Sequence, residues 1–92
     1  MCGIYCAIGE DAAYQVTEGI EKLEYRGYDS CGISYLEKGK INFQHAKNID
    51  GLRLDLVPKD TEICMAHTRW ITSGRGPGNC QPIVSNTCSL VH

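Results

Sequence analysis

The order of apolar and polar residues predicts a short strand followed by a helix at the start of the chain. Residues 3–8 (GIYCAI) form a compact apolar run next to glycines, which predicts a strand buried on both faces. The apolar spacing then becomes helical, through Ala13, Val16, Ile20 and Leu23. Asp11 is expected to cap the first turn, and Gly27 to end the helix after Tyr25.

Gly19 lies inside this predicted helix. A glycine there lowers helix stability by about 1 kcal/mol relative to alanine. We therefore expect either close packing against a neighbouring element at Gly19 or a weak helix.

The rest of the chain predicts mainly strands. Two strand-like runs, 32–36 (GISYL) and 41–46 (INFQHA), flank turn residues 37–40 and predict a β-hairpin. Residues 62–68 predict another buried strand, and 88–92 a last one. A short helix is expected within 47–59, before Pro58, and a loop over 72–78. The pattern as a whole indicates an α+β fold.

Composition and charge restrict the function classes. The 92 residues allow one core at most, and with 42% hydrophobic and 22% charged residues the chain is ordinary for a globular protein. Nine Lys and Arg against eleven Asp and Glu give a net charge of −2, so nucleic acid is not an expected partner. Apolar stretches of about five residues are far short of the ~20 needed to span a bilayer. We expect no membrane partner and a cytoplasmic protein.

Cysteine spacing does not favour a metal site. Six cysteines occur, with no Cys-x-x-Cys pair, and Cys2 and Cys6 belong to a strand rather than to a tight turn. We predict neither a metal nor a cofactor. Most of the others lie in or beside strand-like runs, where a thiol acts as a small buried hydrophobe: Cys6, Cys31, Cys64 and Cys88.

Cys2 differs from the others because it follows Met1 directly. Removing Met1 would give Cys2 both a thiol and a free α-amine. An α-amine titrates near pH ~7.7–8.0, so it can take the thiol proton and later return it to a leaving group. Gly3 has no side chain to block a substrate from the adjacent backbone.

Three motifs carry a family resemblance: MCGI at 1–4, LEYRGYDS at 23–30 and AHTRW at 66–70. In order and spacing they resemble the class II glutamine amidotransferases, whose nucleophile is an N-terminal cysteine, and most closely the glutaminase domain of glucosamine-6-phosphate synthase. Tyr25 and Tyr28 favour this hexosamine branch. The resemblance implies that residues 1–92 are a partial type-2 amidotransferase domain, the first part of a four-layer αββα fold with antiparallel sheets.

The resemblance also implies roles for particular residues. Cys2 would attack the side-chain amide of glutamine, giving a glutamyl thioester and ammonia, and Arg69 would bind the glutamine α-carboxylate. Further substrate contacts would come from Trp70, Thr72 and Ser73. The site would be supported by Gly3, Arg26, Gly27 and Asp29.

Plain structural roles remain open for the same residues. Arg69 could be a surface cation of little energetic weight, and Trp70 could be ordinary core. Residues 26–29 could form only a helix-ending turn. His67, on a predicted strand, is expected to be a core histidine rather than a base.

The chain departs from the family pattern towards its end. At 79–83 it reads NCQPI, so Gln81 and Ile83 replace two histidines of the family's Asn-Ala-His-Pro-His segment. In the family an Asn-Gly pair after the equivalent of His92 forms the oxyanion hole, and a later aspartate binds the glutamine amine. We therefore expect a truncated domain.

The resemblance points to an enzyme of the glutamine–fructose-6-phosphate transaminase (isomerizing) type. It would pass ammonia to fructose 6-phosphate in hexosamine biosynthesis. Its expected partners are glutamine, the missing remainder of the glutaminase and an isomerase domain, with a homo-oligomer left open. Two alternatives stand: a non-catalytic module that binds glutamine or a partner, and a cysteine-based metal or redox protein.

We predict that this chain alone, with Met1 removed, hydrolyses glutamine slowly or not at all. Losing one oxyanion donor typically lowers the rate ~10²–10³-fold, and the resemblance places both donors after residue 92. Ammonia release is the measurement, with Cys2→Ala as the control. Turnover comparable to that of an intact glutaminase, abolished by the substitution, would contradict the prediction.

Overall fold

Strands dominate the computed structural model, which describes residues 2–23, 29–69 and 81–92. Within these residues there are one α-helix and two 3-10 turns, and the sheet pairing is antiparallel, so the predicted α+β class is confirmed. In chain order the elements are β1 (Gly3–Ile8), α1 (Ala12–Lys22), β2 (Ser30–Glu37), β3 (Lys40–Ala46), β4 (Ile63–Arg69), β5 (Ile83–Val84) and β6 (Ser89–Leu90).

Four of the strands form one sheet in the order β1-β4-β2-β3. β4 lies at its centre, and its Thr68 faces Gly3 of β1 on one side and Cys31 of β2 on the other. The predicted hairpin is confirmed as β2 and β3. Its turn is Lys38 and Gly39, both with positive φ (53° and 76°), as a tight two-residue hairpin turn requires.

The core lies between α1 and one face of this sheet. α1 contacts β1 and β4, and several side chains between them and β2 are completely buried: Val16, Ile20, Ile33 and Ala66. The predicted helix is therefore confirmed in its position and in its buried stripe. It ends earlier, because Lys22 is its last residue, and the Asp11 side chain makes no capping bond. Gly27 and Tyr25, predicted to mark the end of the helix, lie outside the described residues.

β1 is an edge strand, so the prediction that it is buried on both faces is wrong. Ile4 and Ile8 are 46% and 85% exposed, and Cys6 is also exposed. An apolar run is compatible with burial of both faces of a strand but does not require it. Among the described residues, nothing covers the outer face of β1. Cys88 is exposed too, so only Cys31 and Cys64 of the four cysteines expected to be buried are so.

The segment between β3 and β4 contains two 3-10 turns, Ile49–Gly51 and Leu54–Leu56, where a short helix was predicted. Gln44 holds the main chain between the two turns. Its Oε1 accepts from Arg53 N–H at 2.6 Å, and its Nε2 donates to the Arg53 carbonyl at 2.8 Å. The Arg53 N–H is therefore bound to a side chain and not to a carbonyl earlier in the segment, while the Arg53 carbonyl also accepts from Leu56 N–H in the second turn, so the two turns do not join into one helix.

Residues 81–92 lie on the sheet face opposite α1. β5 and β6 form a two-stranded ribbon of two residues per strand, shorter than the strand predicted over 88–92. Side-chain bonds hold this segment in place. The Ser34 and Ser89 hydroxyls lie 2.7 Å apart, and His45 Nε2 donates to the Pro82 carbonyl at 2.6 Å.

His67 also holds this segment. Its Nε2 lies 2.8 Å from the His92 carbonyl oxygen, which can only accept, so Nε2 carries the proton. The side chain is completely buried, and its Nδ1 has no hydrogen-bond partner. Burial lowers the pKa of His67; the bond to the His92 carbonyl opposes this, while the nearby positive charges of Arg69 and His92 lower the pKa further. The prediction of a core histidine is confirmed.

Gly19 packs directly against β1, which confirms the close-packing alternative. A Cβ at this position would lie 2.5 Å from Tyr5 Cδ2, nearer than a real Cβ approaches. We predict that Gly19→Ala destabilises the fold by about 1–3 kcal/mol through overpacking, although alanine favours helix formation by about 1 kcal/mol. Urea unfolding measures the change.

Two variants control this measurement. Glu18→Ala, at the neighbouring exposed helix position, should change the free energy of unfolding by no more than about 0.5 kcal/mol. In a Tyr5→Ala background the ring is gone, so Gly19→Ala should no longer destabilise. A Gly19→Ala chain as stable as the parent would show that the contact with Tyr5 is not tight.

We predict that His67 makes the folded chain acid-sensitive. The unfolded histidine titrates near ~6.5 and the folded one lower, so the unfolded state binds more protons between the two values. The stability held by neutral His67 is thus fully present above pH ~6.5 and is lost as pH falls through the folded-state pKa. Free energies of unfolding measured from pH 7.5 down to pH 5 should show it.

His67→Gln, which keeps a donor near the Nε2 position, should flatten this pH dependence. His45→Gln removes an exposed histidine from the same sheet face and serves as the control. Acid sensitivity abolished by His45→Gln and kept in His67→Gln would contradict the prediction.

Candidate functional site

One end of the sheet brings the reactive residues of the sequence together. Cys2 directly precedes β1, Arg69 is the last residue of β4, and Ser30 is the first of β2. In the register Ser30 faces Arg69 and Gly3 faces Thr68, so Cys2 lies beside Arg69. Since strand side chains alternate between faces, Arg69 and Ser30 project from the face opposite α1, and Cys2 lies at the same end of the sheet. We call Cys2, Arg69 and Ser30 the site row.

The next row along the same face contains His67. It pairs with Ile4 of β1 and Gly32 of β2, each two residues from the site row. Two strand residues span about 6.6 Å, so the bond from His67 to His92 lies within one side-chain length of Arg69. The site row is therefore bordered by a buried, neutral imidazole.

The backbone around the site row is braced from two sides. Asp29 N–H donates to the Arg69 carbonyl at 2.9 Å, and Thr68 Oγ1 donates to the Leu23 carbonyl at 3.0 Å. A Cβ on Gly3 would lie 2.6 Å from Thr68 Oγ1 and 3.0 Å from Leu23 Cβ. Gly3 thus lets β1, β4 and the end of α1 meet closely next to Cys2.

The described thiols differ in their surroundings. Burial, and secondarily the neighbouring Cys6, raises the pKa of Cys64 to about 12, and burial raises the pKa of Cys6 as well. Cys31 is buried, whereas Cys2 is partly exposed. Because the thiolate is the reactive form, Cys64 and Cys6 are poor nucleophiles and Cys2 is accessible.

Ser30 is a site-row residue that the sequence reasoning did not single out. Its hydroxyl is buried and has no hydrogen-bond partner, and it faces Arg69 across the strands. The available signal was its place as the last residue of the LEYRGYDS motif. A buried hydroxyl without a partner is uncommon, which makes Ser30 a polar group available beside Arg69.

The structure brings together four of the predicted site residues: Cys2, Gly3, Asp29 and Arg69. The other predicted ones lie outside the described residues, namely Arg26, Gly27, Trp70, Thr72 and Ser73. Their roles stay predictions.

A cavity of about 250 Å³ lies on the same sheet face, between the sheet and β6. Its lining includes Leu36 near the end of β2 and Ile63 at the start of β4. Both are at the sheet end opposite Cys2 and Arg69. The cavity is therefore separate from the site row.

Within residues 2–23, 29–69 and 81–92, no three His, Cys, Asp or Glu side chains are grouped so as to hold a metal ion. Over the same residues, no helix has the length and apolar character needed to cross a membrane.

Sequence comparison finds relatives with one shared name, glutamine–fructose-6-phosphate aminotransferase (isomerizing). The protein of Nostoc sp. is 47% identical over 79 residues, covering 82% of this chain. Those of Caldanaerobacter subterraneus subsp. tengcongensis and Clostridium perfringens are 46% and 40% identical over 99 and 100 residues, covering the whole chain. No protein-family model and no solved structure matches the sequence.

The match covers nearly all of this chain or all of it, but only a small part of each relative. The chain spans 13–16% of the length of these proteins. Their shared name agrees with the resemblance carried by the three sequence motifs. By sequence, the chain belongs to the glutamine–fructose-6-phosphate aminotransferase (isomerizing) family.

Proposed function

We propose that residues 1–92 are part of a type-2 glutamine amidotransferase domain in which Cys2 cleaves the side-chain amide of glutamine. The strand register supports this proposal, because Gly3 pairs with Thr68, so that Cys2 and Arg69, the next residues, are neighbours at one end of the sheet. A glutamine held by its carboxylate at Arg69 would extend its amide towards a neighbouring strand. Cys2 directly precedes that strand, and its thiol is partly exposed.

The chemistry requires Met1 to be removed, so that the Cys2 nitrogen is an amine. The amine takes the thiol proton, and the Cys2 Sγ attacks the amide carbon of glutamine. When the carbon–nitrogen bond breaks, the proton goes to the leaving nitrogen. The products are ammonia and a glutamyl thioester, which water hydrolyses to glutamate with release of the Cys2 thiol.

Arg69 supplies the substrate specificity in this proposal. Its planar guanidinium can donate two parallel hydrogen bonds to the glutamine α-carboxylate. Asp29 braces the Arg69 main chain through the 2.9 Å bond to its carbonyl. In the same proposal Trp70, Thr72 and Ser73 complete the substrate contacts, and Arg26 and Gly27 support the loop near Cys2.

The name of the relatives suggests the fate of the ammonia. They are called glutamine–fructose-6-phosphate aminotransferases, so we propose that the ammonia reaches fructose 6-phosphate and yields glucosamine 6-phosphate. This reaction belongs to hexosamine biosynthesis and would take place in the cytoplasm. It needs the remainder of the glutaminase domain and an isomerase domain, and a homo-oligomer is compatible with it.

We predict that a diazo ketone analogue of glutamine labels Cys2 first in the protein with Met1 removed. Cys2 should react at least tenfold faster than Cys6, whose thiol pKa is raised by burial. Glutamine should protect Cys2, and Arg69→Lys should weaken that protection about tenfold or more, because lysine cannot make the bidentate bond. Mass spectrometry of briefly labelled protein identifies the modified residue.

Matched variants define the controls. Cys6→Ala removes the cysteine of β1, and Arg53→Lys changes an arginine that pairs with Asp55 on the surface; neither should alter labelling of Cys2. Protein that keeps Met1 should react more slowly, since its Cys2 nitrogen is an amide. Labelling of Cys31 or Cys64 ahead of Cys2 would contradict the proposed site. Glutamine binding without any labelling would favour a non-catalytic binding module.

A further inference from the structure

His92 is held by two side chains from other parts of the fold. Gln81 Oε1 accepts from His92 N–H at 2.6 Å, and His67 Nε2 donates to the His92 carbonyl at 2.8 Å. Both main-chain polar groups of one residue are therefore bound, from opposite directions. We call Gln81, His67 and the main chain of His92 the clamp.

The segment that carries Gln81 contacts the sheet directly. A Cβ on Gly32 would overlap the Gln81 carbonyl oxygen, and it would lie 2.7 Å from Pro82 Cδ, so the chain at Gln81 rests directly on β2. His45 Nε2 fixes the next residue by its bond to the Pro82 carbonyl. Gly32 is also the register partner of His67. Gln81 therefore packs on Gly32 of β2, and His67 is the residue of β4 that pairs with Gly32.

The segment depends on such side-chain bonds for its position. Between Gln81 and His92 the main chain pairs β5 with β6 over two residues on each strand, and one further bond, from Ser85 N–H to the Cys88 carbonyl, closes the turn between them. Pairing of this length does not fix a segment relative to the sheet below it. The position of the main chain at His92 is consequently set by the clamp rather than by the ribbon.

The clamp borders the site row. His67 and Arg69 are two residues apart on one face of β4, and Ile4, opposite His67, is two residues from Cys2. Two strand residues span roughly 6.6 Å. The main chain at His92 is therefore about that far, along the strands, from the place where a glutamine amide would meet Cys2. Both clamp side chains act through uncharged groups, an amide oxygen and a neutral imidazole.

We propose that Gln81 and His67 are positioning residues of the glutamine site, which hold the main chain at His92 as one wall of the space between Cys2 and Arg69. This inference rests on the proposed function. Neither residue touches the reacting atoms. They keep the wall in place, and the wall orients the amide of the substrate towards Cys2 Sγ.

The test is the rate at which the diazo ketone analogue of glutamine modifies Cys2, in the full protein with Met1 removed. Rates over a range of reagent concentrations separate the binding constant KI from the limiting rate kinact. Gln81→Ala should lower kinact about 10–100-fold, because a displacement of about 1 Å has an effect of this size. KI should change less than threefold, because Arg69 still binds the carboxylate.

Conservative variants separate positioning from general destabilisation. Gln81→Glu keeps an acceptor oxygen and should bring kinact back to within threefold of the parent. His67→Gln keeps a donor near the Nε2 position, so its kinact should be higher than that of His67→Ala. If the His67 variants fail to fold, as circular dichroism would show, the half-buried Gln81 still decides the question.

Gln44→Ala is the matched control. Gln44 also binds main chain through its amide, at Arg53, but it lies on the α1 side of the sheet. Its loss should lower stability as Gln81→Ala does and leave kinact unchanged. Equal kinact values for Gln81→Ala and Gln44→Ala would overturn the clamp while the proposed function stands. Absence of glutamine-protected labelling in the parent protein would overturn both.

Discussion

The antiparallel pairing of β4 with a strand on each side is the constraint on which the rest of this structure depends. It fixes the register of β1 and β2 at the same time, and side-chain alternation then assigns every β4 residue to a face. Cys64, Ala66 and Thr68 point towards α1, and His67 and Arg69 towards the other side. One strand therefore contributes both to the core and to the site.

The α1 face shows how closely the helix must approach this sheet. Gly19 leaves room for the Tyr5 ring, and Gly3 leaves room for Thr68 and Leu23. Without side chains at these two glycines, helix and sheet come together at van der Waals distance at Gly19 and at Leu23. The same contact fixes the start of β1, and therefore the place of the residue that precedes it.

The opposite face is organised by polar bonds rather than by apolar packing. His45, His67, Gln81 and Ser34 each bind a group in the segment that covers part of this face. Ser34 and Gln81 bind through uncharged groups, and burial favours the neutral imidazole of His67, so these three bonds need no counter-charge in a partly dry environment. Beside them Arg69 provides a charge suited to a carboxylate, which is the electrostatic basis of the proposed glutamine site.

The sequence by itself determined the helix, the hairpin and the central strand, because their periods and turn residues are local properties, and its motifs pointed to Cys2 and Arg69. Only the tertiary structure decided which faces are covered. β1 reads as buried but lies at an edge, and Ser30 joined the site through a register that links positions 30 and 69. The bonds from His67 and Gln81 to His92 span 25 and 11 residues. No local pattern encodes them, since they depend on how separate strands meet.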